Sequence, residues 1–256
     1  MTDILDEIIA HKRLEIEQQK AAISQELLIN NCNEPMPRRS MRASLSASPS
    51  GIIAEFKRRS PSKGWIKENA QADIIPPAYE MAGASVLSIL TDENFFGGNL
   101  KDIRPQVSLP ILRKDFIIDE YQLYQACIVG ADAVLLIAAA LRKEQCSMLA
   151  AKAHELKLEV LLEIHSEQEL EYIEDNIDMV GVNNRNLGTF HTDVENSFRL
   201  AEKLPKEMLL VSESGISSPQ TVRQLRAAGF RGFLIGENFM KTPQPGNALK
   251  EFISKL

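Results

Sequence analysis

Residues 133–165, AVLLIAAALRKEQCSMLAAKAHELKLEVLLEIH, contain the unit on which the fold turns. The opening run, AVLLIAA, and the closing run, EVLLEIH, are short, apolar and rich in branched side chains, as buried strands are. Between them EQCSMLAAKAHELK has the Ala/Glu/Leu-rich, amphipathic spacing of a helix. Two strands joined through a helix need a crossover connection and therefore run parallel.

The same rhythm extends in both directions. GIIAEFK (51–57), SVLSILT (85–91) and PILRKDF (110–116) precede the unit; MVGVNNR (179–185), MLLVSES (208–214) and GFLIGEN (232–238) follow it. Helical patterns such as YQLYQACIVG and SPQTVRQLRAAGF fill most gaps, and Gly83, Gly130 and Gly229 stand where helices need a left-handed cap. Eight strand–helix repeats predict an α/β fold of the (β/α)8 TIM-barrel type. A doubly wound dinucleotide fold is disfavoured, because no G-x-G-x-x-G follows the first strand. Residues 1–256 are read as a single barrel domain, with residues 1–48 as an N-terminal helical extension. In that extension Ile4, Leu5, Ile8, Ile9, Ile16 and Ile23 fall near one stripe, opposite Asp6, Lys12, Arg13 and Glu17. A short helix is expected around Arg39–Ser46 within a loop-like tract.

Composition narrows the function classes. The chain has 256 residues, 44% hydrophobic and 25% charged, enough to bury a core. A net charge of -6 argues against a nucleic-acid partner, which calls for a basic face. No window approaches the ~18 apolar residues of a membrane span. Cys32, Cys127 and Cys146 are odd in number and widely spaced, so free thiols and a cytoplasmic location are expected. No membrane partner is expected.

Barrel enzymes carry their sites at the carboxyl ends of the strands. The polar exceptions in this chain gather there: Glu55 and Lys57, Lys114, Glu163, Asn183 and Arg185, then Glu213 and Ser214. A lone charge at a strand end is ordinarily a solvated residue or a structural ion pair; equivalent charges on different strands point to chemistry. In the run Leu112-Arg113-Lys114-Asp115-Phe116, alternation places Lys114 with Leu112 and Phe116 on one face. Arg113 and Asp115 fall on the other face, as scaffolding. Gly215 and Gly236 lie in the two loops that hold phosphate in many barrels. The loop KRRSPSKGWI after the first strand, with Ser60, Ser62, Lys63 and Gly64, is read as a mobile cationic flap over an anionic ligand. The four histidines show no metal-ligand spacing; His165, two after Glu163, is read as structural.

Six motifs, IIAEFKRRSPSKGWI, LSILTDENFFGG, ILRKDFIID, VLLEIH, GVNNRNLGTF and VSESGI, together resemble the indole-3-glycerol phosphate synthase family. Their order and spacing match over nearly the whole chain, in the stand-alone form rather than the fusion with an isomerase barrel. The resemblance implies a carboxy-lyase of tryptophan biosynthesis. Carboxyphenylaminodeoxyribulose 5-phosphate would close a pyrrole ring with loss of carbon dioxide and water, without metal or organic cofactor. It further implies Lys114 as general acid, with a lowered pKa suited to that work, and Glu163 as a second acid/base. Lys57 with Glu55 would be a supporting pair, and Asn183, Arg185 and Glu213 would orient substrate and side chains. Ser60 would bind the carboxylate or hold the flap. Phe96, Phe116, Leu135 and Leu187 would wall the aromatic ring, while Ser214, Gly215, Gly236 and Glu237 would border the phosphate. Glu237 stands where many members carry a small residue, and Asn99 where many carry a small hydroxyl. The expected partner is one phosphorylated small molecule, acting on a monomer. Alternatives are another phosphosugar barrel enzyme, an isomerase or a Schiff-base aldolase, and a non-catalytic phosphometabolite-binding barrel.

Overall fold

The computed structural model describes residues 4–32, 38–103, 106–186 and 188–256. The eight runs form eight parallel strands: β1 (Ile52–Phe56), β2 (Val86–Leu90), β3 (Ile111–Lys114), β4 (Ala133–Ile137), β5 (Glu159–Ile164), β6 (Met179–Asn183), β7 (Leu209–Glu213) and β8 (Phe230–Ile235). Each pairs with its successor and β8 pairs with β1, closing the barrel. Register then sets the height of every side chain. Leu90 lies opposite Lys114, Ile137 opposite Glu163, and Asn183 opposite Glu213, which brings the strand-end polar residues into one ring.

Alternation divides the core in two. Leu112, Leu135 and Leu161 point inward to a barrel-filling cluster, whereas Ile111, Val134, Val160 and Leu162 pack outward under the helices. Each such side chain, fully withdrawn from water, contributes roughly 1.5–3 kcal/mol. The outer ring comprises α4 (Ile75–Met81), α5 (Glu120–Val129), α6 (Lys143–Glu155), α7 (Glu195–Ala201), α8 (Pro219–Ala227) and α10 (Pro245–Ile253), with the short α9 (Glu237–Met240) after β8. Two crossovers carry 3-10 turns instead, Leu100–Asp102 and Glu167–Tyr172. Asn99 caps the first of these, its Oδ1 accepting from Lys101 N at 2.9 Å. Its amide thus has a local structural use.

The extension consists of α1 (Ile4–Ala22), α2 (Gln25–Asn31) and α3 (Met41–Ala47). Met41 and Leu45 of α3 join the barrel-filling cluster, as do Leu5, Ile8 and Ile9 of α1. Further along, Ile16 and Leu28 pack on Tyr121 and Tyr124 of α5.

Three expectations need correction. Lys12 does not face water with Asp6 and Glu17: it is fully buried, its Nζ 2.9 Å from Asp92, 3.1 Å from Asp115 and 2.8 Å from Glu15. A long cationic stem can occupy an apolar stripe where buried carboxylates wait for it. Ile23, placed in the stripe, is instead exposed. Nor are all cysteines free: Cys32 and Cys127 are joined by a disulfide, leaving Cys146 as a buried thiol. Packing of α2 on α5 brings their Cα atoms within 6.3 Å, a bridging distance that a separation of 95 residues conceals.

Candidate active site

A cavity of about 440 Å³ opens at the carboxyl ends of the strands. Of the sequence candidates, it is lined by Glu55, Lys57, Phe96, Lys114, Phe116, Leu135, Glu163, Asn183, Arg185, Glu213, Ser214, Gly215, Gly236 and Glu237. Ser60 is not in the lining; it is buried in a short hairpin, Arg59–Ser60 paired with Gly64–Trp65, while Pro61, Ser62 and Lys63 reach the cavity. Leu187 lies outside the described residues.

Lys114 is the electrostatic centre. Its ammonium lies 2.9 Å from Glu163 Oε2 and 3.0 Å from Glu213 Oε2, with 14% of the side chain exposed. Burial alone would push its pKa down, but Glu163, Glu213 and Glu55 outweigh burial and raise it. The lowered pKa expected of this lysine is therefore not found: the carboxylates keep it charged. Glu163 also accepts from Asn183 Nδ2 at 3.0 Å. Although burial opposes it, Lys114 and His165 with Asn183 hold Glu163 well below the usual carboxylate range. Glu213 shows the opposite outcome. Burial, reinforced by Glu163 and Glu55 against the pull of Lys114, pushes it up to about 7. Two carboxylates on one lysine are thus driven apart, which provides one ionised and one readily protonated group.

Glu55 and Lys57, two apart on one face, form a 2.6 Å ion pair. Two glycines, Gly181 within β6 and Gly236 just past β8, make room for the acids. A Cβ on Gly236 would stand 2.3 Å from Glu55 Oε1, and one on Gly181 would stand 2.2 Å from Glu213 Oε1. Gly236 therefore has a steric duty beyond any backbone approach to an anion. Asn183 Oδ1 accepts from Arg185 N at 3.0 Å, and Arg185 Nε donates to Thr192 Oγ1 at 3.4 Å, orienting the guanidinium from the side.

One wall is apolar. The Phe96 and Phe116 rings lie 6.0 Å apart and tilted, with Leu135 below. Ile4, Leu5 and Ile8 of α1 complete it, a contribution that the apolar stripe of α1 could have signalled but that barrel topology alone did not locate. At the opposite end Ser214 and Gly215 both have positive φ (66° and 76°), and α9 begins just after Gly236. First-turn N–H groups of a helix lack intrahelical acceptors, so Glu237 and Asn238 offer donors there, with Lys241 nearby on the lining. The loop after β1 is less free than its composition suggested. Arg58 pairs with Asp102, Nη2 to Oδ1 at 2.9 Å, and Arg59 stacks on Trp65. Arg113 donates to Asp115 at 2.9 Å; Asp115, expected on the outer face, lies past the end of β3 and also lines the cavity.

A closed parallel barrel with a paired lysine, two unlike carboxyls and an apolar wall at its mouth has the arrangement of a (β/α)8-barrel enzyme. The model of the family "Indole-3-glycerol phosphate synthase" matches residues 5–252. The chain is 68% identical over 259 residues to the indole-3-glycerol phosphate synthase of Bacteroides thetaiotaomicron, covering 100% of both chains. It is 47% identical to that of Neisseria meningitidis serogroup B, over 94% of this chain and 95% of the relative. The chain belongs to the indole-3-glycerol phosphate synthase family, and is a carboxy-lyase of tryptophan biosynthesis. Among solved structures, a 3-hexulose-6-phosphate synthase (TM-score 0.64, 13% identity, 80% of this chain and 99% of that chain) shares the fold. So does a tryptophan synthase α subunit from Legionella pneumophila (TM-score 0.60, 14% identity, 84% and 95%).

Proposed function

We propose that the chain converts 1-(2-carboxyphenylamino)-1-deoxy-D-ribulose 5-phosphate to indole-3-glycerol phosphate, with Lys114 as the general acid. The observation that carries the reading is the Lys114 ammonium, held between Glu163 and Glu213 inside the cavity beside the aromatic wall. The ring carbon bearing the carboxylate attacks the ketone carbon, and Lys114 delivers its proton to the ketone oxygen as negative charge develops there. Carbon dioxide then leaves with its bonding electrons returned to the ring, restoring aromaticity. In the last step the new hydroxyl leaves as water, taking a second proton, and the five-membered ring loses one. Glu163, ionised at the outset, is assigned this acid/base work: it takes the ring proton and passes a proton to the departing hydroxyl.

Lys57, fixed by Glu55, supports the anionic substrate, and Asn183 and Arg185 orient it. Phe96, Phe116 and Leu135 clasp the aryl ring and exclude water. Ser214, Gly215, Gly236 and Glu237 border the phosphate, the Glu237 side chain turned from the anion while its N–H faces it. Ser60 is left the role of holding the loop after β1, and Ser62 and Lys63 take the ligand-facing positions. The chain is read as a monomer, and a cytoplasmic location is read from the biosynthetic role alone.

The test is fluorescence of indole product formed from the carboxyphenylamino substrate in the presence of chelator. Turnover is expected, with near-abolition by Lys114→Ala and substrate binding largely kept. Near wild-type turnover by Lys114→Ala would overturn the acid assignment. A borohydride-trapped lysine adduct would favour the aldolase instead.

A further inference from the structure

His165 stands behind Glu163, outside the cavity lining, and the mechanism above leaves it unused. Its Nε2 lies 3.3 Å from Glu163 Oε1 and its Nδ1 3.6 Å from Glu169 Oε2, with 14% of the side chain exposed. The backbone is held as well. His165 N donates to Glu169 Oε2 at 2.5 Å, and its carbonyl accepts from Asn196 Nδ2 of α7 at 3.1 Å. The imidazole therefore lies between two carboxylates, within ion-pair distance of each although neither ring nitrogen makes a hydrogen bond, on a backbone fixed by the 3-10 turn and α7. Glu163 receives Lys114 on its other oxygen and Asn183 beside the imidazole. Glu169, His165, Glu163 and Lys114 form a line of alternating charge that ends at the proposed acid.

We propose that His165 is a positioning residue for the ring-closure reaction: as an imidazolium anchored on Glu169, it aims Glu163 at the cavity and keeps it ionised. The inference rests on the function proposed above. The charged groups facing the imidazole are Glu163 of β5 and Glu169 of the following 3-10 turn; Asn196 presents only a neutral amide. Burial alone would discharge the ring, yet the two carboxylates outweigh it and push His165 up to about 10. A second cation on Glu163 has a clear use. With Lys114 shared by Glu213 and its proton given away during the reaction, Glu163 would otherwise lose its main stabilising charge mid-cycle. His165 does not take part in the proton transfer, so it can hold Glu163 in place throughout.

The experiment is an NMR titration of the full-length, ligand-free protein labelled with 15N-histidine. The His165 signal is identified by elimination through separate His11→Gln, His154→Gln and His191→Gln variants, so it does not depend on a His165 variant folding. The imidazole is expected to stay doubly protonated to above pH 8.5, and Glu163→Gln is expected to lower its midpoint by more than one unit. A midpoint near the ordinary ~6.5, or one unmoved by Glu163→Gln, would overturn the proposal. In kinetics, folded His165→Gln is expected to lose 10- to 100-fold in kcat with KM changed less than threefold. An unchanged kcat, or a loss confined to KM, would overturn it too. Wild-type protein that forms no indole product would instead sink the reaction reading, while the NMR coupling is decided independently.

Discussion

Replacing Lys12 by methionine tests whether the extension is fastened to the barrel by charge or by apolar packing alone. The stem volume is nearly kept, so the change removes the ammonium and little else. Two buried carboxylates lose their partner, and they are not equally exposed to the loss. Asp115 retains Arg113 Nη2 at 2.9 Å, Thr91 Oγ1 at 2.6 Å and Phe116 N at 2.8 Å. Asp92, fully buried, retains the Phe95 N–H at 2.8 Å. Breaking a buried pair by removing one member costs roughly 3–5 kcal/mol, and most of that should fall on Asp92. The sum stays within the ~5–15 kcal/mol stability of ordinary domains, so the variant should fold. Urea unfolding of Lys12→Met should show that loss, and Lys12→Met combined with Asp92→Asn should recover at least ~1 kcal/mol of it. Because α1 supplies Ile4, Leu5 and Ile8 to the cavity wall, kcat/KM should fall as well. A loss below about 1 kcal/mol, or an Asp92→Asn effect that simply adds to it, would refute the ionic-fastening argument.

The other predictions are shorter. Gly236→Ala should displace the Glu55 carboxylate, whose Oε1 would meet the new Cβ at 2.3 Å, and so break the Glu55–Lys57 pair; steady-state kinetics should show kcat reduced at least tenfold. Glu213 has a folded pKa raised to about 7, so it binds its proton more tightly folded than unfolded. Its contribution is greatest below its unfolded value near ~4.3 and is lost as pH rises to about 7. Stability of wild type relative to Glu213→Gln should fall across that window, by at most about 1.4 kcal/mol per pH unit. Reduction of Cys32–Cys127 by dithiothreitol should lower stability, on the order of the 2–4 kcal/mol typical of a disulfide. Cys32→Ser should match the reduced protein and no longer respond to reductant.

The barrel was legible because its signal is local and repeated. Each strand announces itself by a short apolar run, and each crossover by a helix period, so errors at one element do not spread to the rest. The strand-end candidates were legible for the same reason: once the topology is known, residues such as Glu163 and Asn183 have a predictable height and face. What stayed hidden depends on neighbours distant in sequence. Nothing in α1 shows that Lys12 meets Asp92 and Asp115, since helical periodicity sorts residues by polarity and cannot show a buried partner. Cys32 and Cys127 are likewise paired by packing of α2 on α5. Gly181 reads as an ordinary strand residue until Glu213 is found in the space of its missing side chain.

The sign of the Lys114 shift carries the same lesson into the chemistry. Reasoning from apolar walls and neighbouring cations gives a lowered pKa, and burial does act in that direction. The nearest charges, however, are carboxylates, and three of them bear on one ammonium. The result is an acid that is fully loaded and reluctant to discharge. Two features make such an arrangement workable. Glu213, already raised to about 7, can lose its charge readily, which weakens the hold on the Lys114 proton. Glu163 can keep its own charge without relying on Lys114 only if another cation stands behind it, and His165 stands there. Proton donation by Lys114 then depends less on the intrinsic acidity of that lysine than on the unequal titration of the two glutamates that share it.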